Sequence, residues 1–520
     1  MRFFKNKSEL KKKFFWAIAI LILTYLVLRL LNLTILPVFA DEAIYIRWSQ
    51  LIISDWKRYL FFPLNDGKTP LQMWLMIPLL KVFANQLFAG RLLSVLFGLG
   101  QVLMMIKLMS LFTKNRWQQI LAAAITLFTP GLILTGRLAL IDTQLTFFLT
   151  VSFYFAYQSL LNLGKPKLQL KQFICQTIFN ANVLWAGVFL GLALLTKFSA
   201  ILFLPVLATL LFYFWPTKKN QFWSYLATMT TTLIAIAIIG GCCFLLLMIS
   251  PAFPQLFARG GDFLFSLSDF FQQPGTIISR NFVLISEMLA TYLTNILFFS
   301  SIVLAIYLWP HDRRPIWLIV SGLAFVVPIV ILGKIIYARY LLSALPFFIL
   351  SFTLSLNYFN LTRTLRTIKN ILLILFFLNG IYFTWANIFA PEKMILPASD
   401  QTQYLGEWSS GHGIEETIAF IDLLREQGEV LVLTEGYFGT LPDALLMEYF
   451  NRDVSGLRIE GIGQPVNDVV KHQNLIDQYP QAILIVNSHR MQVPLSSDKL
   501  LAQFERPIAG APSLQIWNLK

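Results

Sequence analysis

The chain has 520 residues, of which 57% are hydrophobic and only 13% are charged, a composition that excludes an ordinary water-soluble domain. The formal net charge of +14 could suggest a nucleic-acid partner, but residues 1–390 carry 32 Lys and Arg against 10 Asp and Glu, whereas residues 391–520 carry 9 against 17. The basic excess therefore belongs to the apolar region, where positive loops set membrane orientation, and we expect no nucleic acid as partner.

The first apolar segment follows a strongly basic start, since Met1 to Lys13 holds six Lys and Arg and runs directly into residues 14–36. That run is longer than a signal peptide needs and lacks a small-residue cleavage site, so it predicts an uncleaved first helix that enters from the cytoplasm. Eleven segments have the length and composition of membrane spans, about 20 residues each: 14–36, 88–112, 119–135, 138–161, 177–196, 198–215, 225–250, 286–309, 316–332, 339–357 and 368–390.

The run from Pro70 to Phe83 is too short for a span and contains Pro70 and Pro78, so we interpret it as an interfacial or re-entrant helix. If it does not cross, the basic loops alternate onto the cytoplasmic side, as positive-inside orientation requires; they contain Lys114 and Arg116, Lys165, Lys167 and Lys171, Lys218 and Lys219, Arg313 and Arg314, and Arg363, Arg366 and Lys369. The sequence thus predicts a polytopic plasma-membrane protein with a cytoplasmic N-terminus and an extracytoplasmic C-terminal region.

Most acidic residues of the apolar region then lie on the outer face. The acidic pair Asp41-Glu42 follows the first span and precedes an amphipathic helix predicted over Ala43 to Arg58. Two interpretations stay open for the pair. Asp41 could cap this helix while Glu42 complements the helix dipole, or the two carboxylates could perform chemistry at the membrane surface.

Other charged residues are predicted on the same face: Lys68, Asp142, Lys197 and the pair Arg339-Tyr340. Each cation has a simple alternative role as an anchor at a helix end, whereas burial makes Asp142 costly in the first turn of an apolar span. Arg29, in the outer half of the first span, could extend outward or compensate a nearby acid. Charges gathered at one rim favour a surface reaction chamber over a transport path.

Taken in order, these motifs resemble the polytopic GT-C glycosyltransferases, in particular the branch of protein O-mannosyltransferases and lipid A aminoarabinose transferases. The resemblance covers most of residues 14–350. Its motifs are Asp41-Glu42, the Lys-x-Pro-Leu of Lys68 to Leu71, Gly90-Arg91-Leu92, Ile141-Asp142-Thr143, Thr196-Lys197, and Arg339-Tyr340 before Leu345-Pro346.

The resemblance implies a GT-C fold and an inverting glycosyltransferase that moves a sugar from a polyprenyl-phosphate donor to a hydroxyl of an acceptor protein, lipid or polysaccharide outside the cytoplasm. By this resemblance Asp41 is the general base and Glu42 and Asp142 are further catalytic acids of the cavity. Lys68, Lys197 and Arg339 would hold the phosphate, with the Tyr340 hydroxyl near it. The physical requirements agree, because an attacking hydroxyl needs a carboxylate in reach and a departing phosphate needs fixed cations.

Two positions depart from the family pattern. Thr69 stands where Lys-Pro-Pro is common, and Phe198 stands where Lys-Gly is common, which would narrow the donor pocket. A divalent metal ion, with Glu42 and Asp142 as ligands, stays an open alternative, because some members bind one. The four histidines show no ligand spacing, so we do not commit to a metal site.

After residue 390 the composition becomes that of a soluble domain, and we divide the chain into a membrane domain, 1–390, and a small extracytoplasmic α/β domain, 391–520. Helices are predicted over Ile414 to Gln427 and Asp443 to Phe450, and strands over Glu429 to Thr434 and Ala482 to Asn487. Two other functions remain as alternatives: a lipid or sugar transporter or flippase, and a membrane scaffold without catalysis. No internal repeat of the kind found in transporters is visible.

Overall fold

The membrane region is a bundle of helices of very different lengths. The computed structural model describes residues 2–162, 180–215, 222–360 and 362–520. The helices before residue 390 are α1 (Arg2–Leu30), α2 (Ala40–Ser54), α3 (Trp56–Tyr59), α4 (Leu71–Val82), α5 (Gln86–Ser110), α6 (Arg116–Phe128), α7 (Pro130–Thr135), α8 (Ile141–Leu161), α9 (Ala181–Thr196), α10 (Leu204–Tyr213), α11 (Phe222–Leu245), α12 (Gly260–Phe263), α13 (Leu267–Gln272), α14 (Pro274–Leu293), α15 (Asn295–Leu308), α16 (Arg314–Leu332), α17 (Leu345–Ser355) and α18 (Arg363–Phe389).

Six helical stretches of the described residues are long and apolar enough to cross a membrane, and a seventh results if the bent pair α14 and α15 is one span. The prediction of a polytopic helical membrane protein is therefore confirmed. The count of eleven spans stays a prediction, since several predicted segments form shorter helices. The loop lysines Lys165, Lys167, Lys171, Lys218 and Lys219, and the first residues of the predicted span 177–196, lie outside the described residues.

Several predicted spans are broken or irregular rather than continuous α-helices. Segment 119–135 breaks at Thr129, where Pro130 begins a new short helix because proline lacks the N–H that would continue the previous one. Segment 286–309 breaks at Thr294, whose φ of 69° is left-handed, and the two helices meet at 106°. Segment 198–215 begins as a 3₁₀ helix, Phe198–Phe203. Hydropathy alone does not reveal such breaks, because the residues on both sides are equally apolar.

The long loop after α1 folds back onto the bundle through two helices. Helix α2 begins earlier than predicted, at Ala40, and buries Ala43, Ile44 and Trp48. Helix α4 has 12 residues with Pro78 inside it, which is too short to cross the hydrocarbon core. The predicted interfacial or re-entrant helix is therefore present as a helix of that size, and α2 and α4 pack against each other.

The C-terminal region contains a five-stranded mixed sheet. Its strands are β1 (Val430–Thr434), β2 (Leu457–Gly461), β3 (Gln481–Asn487), β4 (Leu500–Phe504) and β5 (Leu514–Asn518), in the order β2-β1-β3-β5-β4. The central strand β1 pairs in parallel with β2 and β3, and the antiparallel β5 and β4 extend the sheet. Four helices accompany it: α19 (Ala398–Gln401), α20 (Ile414–Arg425), α21 (Asp443–Glu448) and α22 (Gln473–Asp477). The predicted elements are found within a few residues, whereas β2, β4 and β5 were missed.

The C-terminal region packs directly on the loop helices of the membrane region. Helix α21 lies on α2, where the Gln50 side chain donates to the Met447 carbonyl at 3.0 Å. One continuous cluster of buried apolar residues joins both regions, from Leu36 to Ile516. The sheet thus provides a rigid support for the segment that carries Asp41.

Asp443, at the start of α21, gives this contact a pH dependence. Burial raises the pKa of Asp443 to about 6, although the Gly439 N–H and the charges of Arg47 and Lys68 oppose the shift. Because an unfolded Asp titrates near 3.9, the folded state holds an extra proton between about pH 4 and 6, and stability falls as pH rises through that window.

We expect Asp443→Asn to gain stability relative to the wild type as pH rises from 4 to 7, by up to about 3 kcal/mol. Thermal unfolding at pH 4.5, 5.5 and 7 measures the difference. Asp468→Asn is the control. It removes an acid that is 34% exposed and pairs with Lys471 at 3.3 Å, and it should show no such gain. A gap between Asp443→Asn and the wild type that stays constant with pH would contradict the buried, protonated carboxyl.

Candidate active site

Asp41 lies between two cations from distant parts of the chain. Its Oδ1 accepts from Lys68 Nζ at 2.9 Å and its Oδ2 accepts from Arg339 Nη2 at 2.8 Å. The side chain of Asp41 is 21% exposed, whereas those of Lys68 and Arg339 are 9% and 8% exposed. Asp41 is therefore more exposed than either of the two cations that bind it.

The group continues in both directions as a row of charges that alternate in sign. Asp142 lies 4.0 Å from Arg339 and pairs with Lys197 at 2.8 Å. At the other end, Lys68 also pairs with Asp66 at 3.0 Å. We call this row the charge chain; its members in order are Asp66, Lys68, Asp41, Arg339, Asp142 and Lys197. It has as many acids as cations, so the charges balance without a bound ligand.

Aromatic rings cover the cations of the charge chain. Lys68 Nζ lies 4.8 Å from the ring centre of Tyr45, and Lys197 Nζ lies 4.2 Å from that of Tyr340. Arg339 is flanked by Phe39 and Tyr337, each at 5.1 Å. Ring faces attract cations and exclude water, so the rings hold the ammonium and guanidinium groups in place within a poorly solvated site.

The charges around Asp41 govern its protonation. Burial by itself would raise the pKa of Asp41, but the positive charges of Lys68 and Arg339 outweigh burial and hold the pKa well below its usual range. Conversely, burial would lower the pKa of Lys68, but Asp41, Tyr45 and Asp66 outweigh it and raise the pKa. In this state Asp41 is a carboxylate that binds a proton weakly.

Helix ends position the residues of the charge chain. Asp41 lies in the first turn of α2 and Asp142 in the first turn of α8, where helix dipoles favour carboxylates. Lys197 is the residue at which α9 ends. Arg339 belongs to a 3₁₀ helix, Ala338–Ala344, that leads into α17. Irregular turns between helices thus collect the charges on one rim.

Asp41 does not cap α2, which corrects one of the two interpretations of the acidic pair. The helix begins at Ala40, so the capping position is Phe39, and both Asp41 oxygens bind cations instead. Glu42 is the acid that binds the backbone at the start of the helix, since its Oε2 accepts from the Phe39 N–H at 3.0 Å. For Asp41, the other interpretation remains, namely that its carboxylate performs chemistry at the membrane surface.

Glu42 lies outside the charge chain in a separate buried ion pair with Arg91. Both side chains are 0% exposed, and Arg91 donates to the two Glu42 oxygens at 2.9 and 2.7 Å. The Ala139 N–H donates to the same carboxylate at 2.6 Å. Arg91 also donates to carbonyls of the segment before Asp41, at Leu33, Leu36 and Pro37. The pair therefore fastens this segment to α5 and to the turn before α8.

This arrangement does not suit a metal ion at Glu42. Both carboxylate oxygens of Glu42 already accept two hydrogen bonds each, from Arg91 and from backbone N–H groups, and Asp142 pairs with Lys197. Within the described ranges of the chain, no group of three or more His, Cys, Asp or Glu lies close enough to hold a metal. No step is assigned to a metal here.

The linker before the C-terminal sheet contacts the segment that precedes Asp41. The Ala40 N–H donates to the Ser409 carbonyl at 2.9 Å, and the rings of Phe39 and Tyr404 are 4.8 Å apart. A Cβ atom on Gly411 would collide with the backbone oxygen and nitrogen of Val38. The small size of Gly411 is thus what allows the linker to approach.

We expect Gly411→Ala to displace this segment and to reduce activity by about 10- to 100-fold, because a shift of about 1 Å in a reacting group costs that much. We also expect a loss of stability of about 1–3 kcal/mol. Transfer rate and thermal midpoint are measured together, with Gly275→Ala as control, since a Cβ at Gly275 meets no atom within 4 Å. Equal transfer by both variants would contradict the positioning role.

From the sequence we expected Asp41, Lys68, Asp142, Lys197 and Arg339 on one face. The structure joins these five side chains in one row of ion pairs, and it also brings the Tyr340 ring to Lys197. Sequence reasoning missed Asp66 and Arg259, which pair with each other at one end of the charge chain. From the sequence, Arg91 was named as part of a motif, but its partner, Glu42, was not predicted. Nothing in the sequence around Asp41 and Glu42 indicated their different partners. Asp41 binds Lys68 and Arg339, whereas Glu42 pairs with the buried Arg91.

Phe198, the second departure from the family pattern, follows Lys197 and packs away from the charges. Its ring lies 5.3 Å from those of Phe244 and Phe257. Phe257 belongs to the loop between α11 and α12, and that loop also carries Arg259, which contacts Asp66. Phe198 therefore packs against the loop that carries Arg259.

A family model described as dolichyl-phosphate-mannose-protein mannosyltransferase matches residues 66–256. No curated protein matches the chain in sequence. The matched residues include Lys68, Asp142 and Lys197 of the charge chain. The match confirms the predicted resemblance and the predicted class of enzyme, a glycosyltransferase.

Solved structures with the same fold include ArnT from Cupriavidus metallidurans in the apo state, with 13% identity, a TM-score of 0.54, and coverage of 96% of this chain and 97% of that one. The same protein bound to undecaprenyl phosphate gives 14%, 0.53, 96% and 97%. The oligosaccharyltransferase AglB from Archaeoglobus fulgidus, in complex with an inhibitory peptide and a dolichol-phosphate, gives 12%, 0.50, 92% and 70%. At these identities the likeness shows the fold, and the predicted GT-C fold is confirmed.

Proposed function

We propose that this membrane protein of GT-C fold transfers a sugar from a polyprenyl-phosphate donor to a hydroxyl of an acceptor, with inversion at the anomeric carbon. The observation that carries the proposal is the charge chain, in which one partly exposed carboxylate, Asp41, lies between two buried cations, Lys68 and Arg339. A phosphate-sugar donor needs cations for its phosphate and a carboxylate for the attacking hydroxyl. The ligands named for the similar structures, undecaprenyl phosphate and dolichol-phosphate, are of this class.

Binding of the donor phosphate would change Asp41 from a weak base into a stronger one. A phosphate that enters between Lys68, Lys197 and Arg339 takes over part of their positive charge, because Lys acts as a point charge and Arg binds as a fork. Nη1 of Arg339 is buried and makes no hydrogen bond within the described chain, so one arm of that fork is available. As the cations turn to phosphate, the pKa of Asp41 rises towards the range useful for a general base.

The transfer step then follows with a simple balance of atoms. The acceptor oxygen forms a bond to the anomeric carbon while the bond from that carbon to the phosphate oxygen breaks. The hydroxyl proton goes to the Asp41 carboxylate, and the electron pair of the broken bond leaves on polyprenyl phosphate. Lys68, Lys197 and Arg339 stabilise the phosphate charge in a site with little water. Attack opposite the leaving group inverts the configuration.

The remaining predicted site residues receive different roles. Asp142, only 3% exposed and bound to Lys197, keeps that cation at the phosphate. Tyr340 supports Lys197 with its ring face. Glu42 touches none of the cavity cations in the ion pairs described, so we propose that it is a positioning residue that, with Arg91, fixes the backbone before Asp41.

The orientation of the reaction follows from the basic loops. We propose a plasma-membrane location with a cytoplasmic N-terminus, so that the charge chain and the domain from residue 391 onward face the extracytoplasmic side. The acceptor hydroxyl belongs to a protein, a lipid or a polysaccharide. The membrane domain, 1–390, would carry the chemistry, and the α/β domain, 391–520, would hold Ala40 through Ser409 and border the acceptor entrance.

Transfer by the purified full chain in lipid nanodiscs tests the proposal. A polyprenyl-phosphate donor with a radiolabelled sugar is supplied together with membrane extract as acceptor source, and both the labelled product and the released polyprenyl phosphate are quantified. We expect the two to appear in equal amounts. Mass spectrometry of the copurifying lipid identifies the carrier. Counterflow of label in proteoliposomes without any cleavage of the donor would favour a transporter and overturn the assignment.

A further inference from the structure

A small cavity lies inside the helix bundle, and none of the residues of the charge chain lines it. Its volume is about 10 Å³, which is space for one water molecule or one monatomic ion. Helices α1, α5, α6 and α8 contribute most of the lining, which comprises Tyr25, Arg29, Gly98, Gln101, Val102, Thr126, Leu132, Thr143 and Thr146.

Three of the residues that line this cavity carry buried polar atoms without partners among the described residues. Arg29 is 1% exposed, and its Nε and Nη1 make no hydrogen bond to any described residue; only Nη2 donates, to the Leu127 carbonyl at 2.6 Å. The Gln101 amide, 2% exposed, has neither its nitrogen nor its oxygen paired, and the Thr143 hydroxyl, 3% exposed, is also unpaired. Buried polar groups are nearly always hydrogen-bonded, so three such side chains around one space indicate a ligand.

The charge of the cavity is positive and uncompensated. None of the residues that line it is acidic, and Arg29 forms no ion pair with an acidic residue of the described ranges, so it does not compensate an acid and does not extend to the surface. The Arg29 guanidinium lies over the Tyr25 ring, with its Cζ 5.1 Å from the ring centre. The neighbouring Arg137 adds a second cation, satisfied by the carbonyls of Leu28, Arg29, Leu31 and Asn32 at the end of α1.

The chemistry of the unpaired atoms identifies the class of ligand. Arg29 Nε and Nη1 are donors only, and Gln101 Nε2 and the Thr143 hydroxyl add further donors, against few acceptors. A water molecule would satisfy some donors but would leave a buried charge without a counterion, which is costly. A phosphate ester is too large for the space. We propose that the cavity binds one halide ion, chloride in the cell, through Arg29, Gln101 and Thr143.

The bound ion would join the first span to the bundle, since Arg29 lies on α1, Gln101 on α5 and Thr143 on α8. A ligand that binds only the folded state raises stability in proportion to the logarithm of its concentration above its dissociation constant. The proposal does not depend on the transferase activity, and neither of its measurements uses that activity.

Two measurements on the full chain test the site. In nanodiscs of neutral lipid, sodium gluconate is replaced stepwise by sodium bromide at constant ionic strength, and we expect a saturable rise of the thermal midpoint by roughly 1–4 °C. Crystals grown in bromide should show an anomalous peak beside Arg29. Equal midpoints in bromide and gluconate, or only ordered water beside Arg29 in those crystals, would overturn the proposal.

Variants separate the site from general salt effects. Arg29→Gln should lose the bromide response, and Gln101→Met, which keeps the cation, should weaken the apparent bromide affinity about fivefold, the loss of one hydrogen bond. Arg116→Gln, an exposed arginine at the start of α6, should respond like the wild type. If Arg29→Gln does not fold, the anomalous peak and Gln101→Met decide. A full response by both cavity variants would contradict the site.

Discussion

Asp41→Asn is expected to reduce sugar transfer by about 10²- to 10⁴-fold, the usual contribution of a positioned general base. The amide keeps the size of the side chain and can still accept from Lys68 or Arg339, but it cannot take the proton of the acceptor hydroxyl. Donor binding should persist, because Lys68, Lys197 and Arg339 remain. Transfer of labelled sugar and binding of the labelled donor are measured on the same preparations.

Asp468→Asn is the matched control, since it removes a partly exposed acid paired with Lys471 in the C-terminal region and should leave transfer unchanged. The thermal midpoints of both variants show whether the fold is retained. Transfer by Asp41→Asn at the wild-type rate would remove the assignment of Asp41 as the base. If Asp41→Asn folds but no longer binds the labelled donor, the role of Asp41 is instead to hold the cations in place for donor binding.

Arg91→Met should produce the largest loss of stability, about 3–5 kcal/mol, because it leaves the fully buried Glu42 without its counterion. The guanidinium also satisfies the carbonyls of Leu33, Leu36 and Pro37, and these would become unpaired. We expect a lower thermal midpoint and low yield of folded protein. Denaturation in detergent micelles, followed by tryptophan fluorescence, measures the change.

The double variant Glu42→Gln/Arg91→Met removes both charges and should recover part of this loss, since replacing a whole buried pair costs less than breaking it. Arg452→Met serves as control. Its side chain is 46% exposed and pairs with Asp422 and Glu448 at 3.3 and 3.4 Å, so at most about 1 kcal/mol is expected. An Arg91→Met variant as stable as Arg452→Met would show that Glu42 is not buried as a charge.

The sequence was sufficient to predict what depends on composition and on order along the chain. Long apolar runs predicted the membrane bundle, and alternating charge on the loops placed the residues from Asp41 to Arg339 on one rim. In the C-terminal domain, β1 and β3 were predictable because central parallel strands are continuous apolar runs. Strands β2 and β4 are only partly buried, so their patterns are weak, and they were missed.

What the sequence did not reveal depends on pairing across long separations. Arg339 reaches Asp41 over 298 positions and Lys197 reaches Asp142 over 55, and no local pattern specifies such partners. The same limit explains why Asp41 and Glu42 were treated as one pair although they face different cations. The break at Thr294 was equally hidden, because its left-handed backbone is imposed by packing rather than by a glycine or proline.

The hydrogen bond between Ala40 and Ser409 has a consequence for biosynthesis. About 370 residues separate the two positions, and at roughly 5–20 residues per second a ribosome needs about 20–70 s to add them. In the proposed orientation, the segment that carries Asp41 is during that time already outside the membrane, while the region that supports it has not yet been made. Under the proposed mechanism and orientation, an unfinished chain would therefore hold donor-binding cations without a fixed base. Competence for transfer would arise only when the last quarter of the protein has been exported and folded.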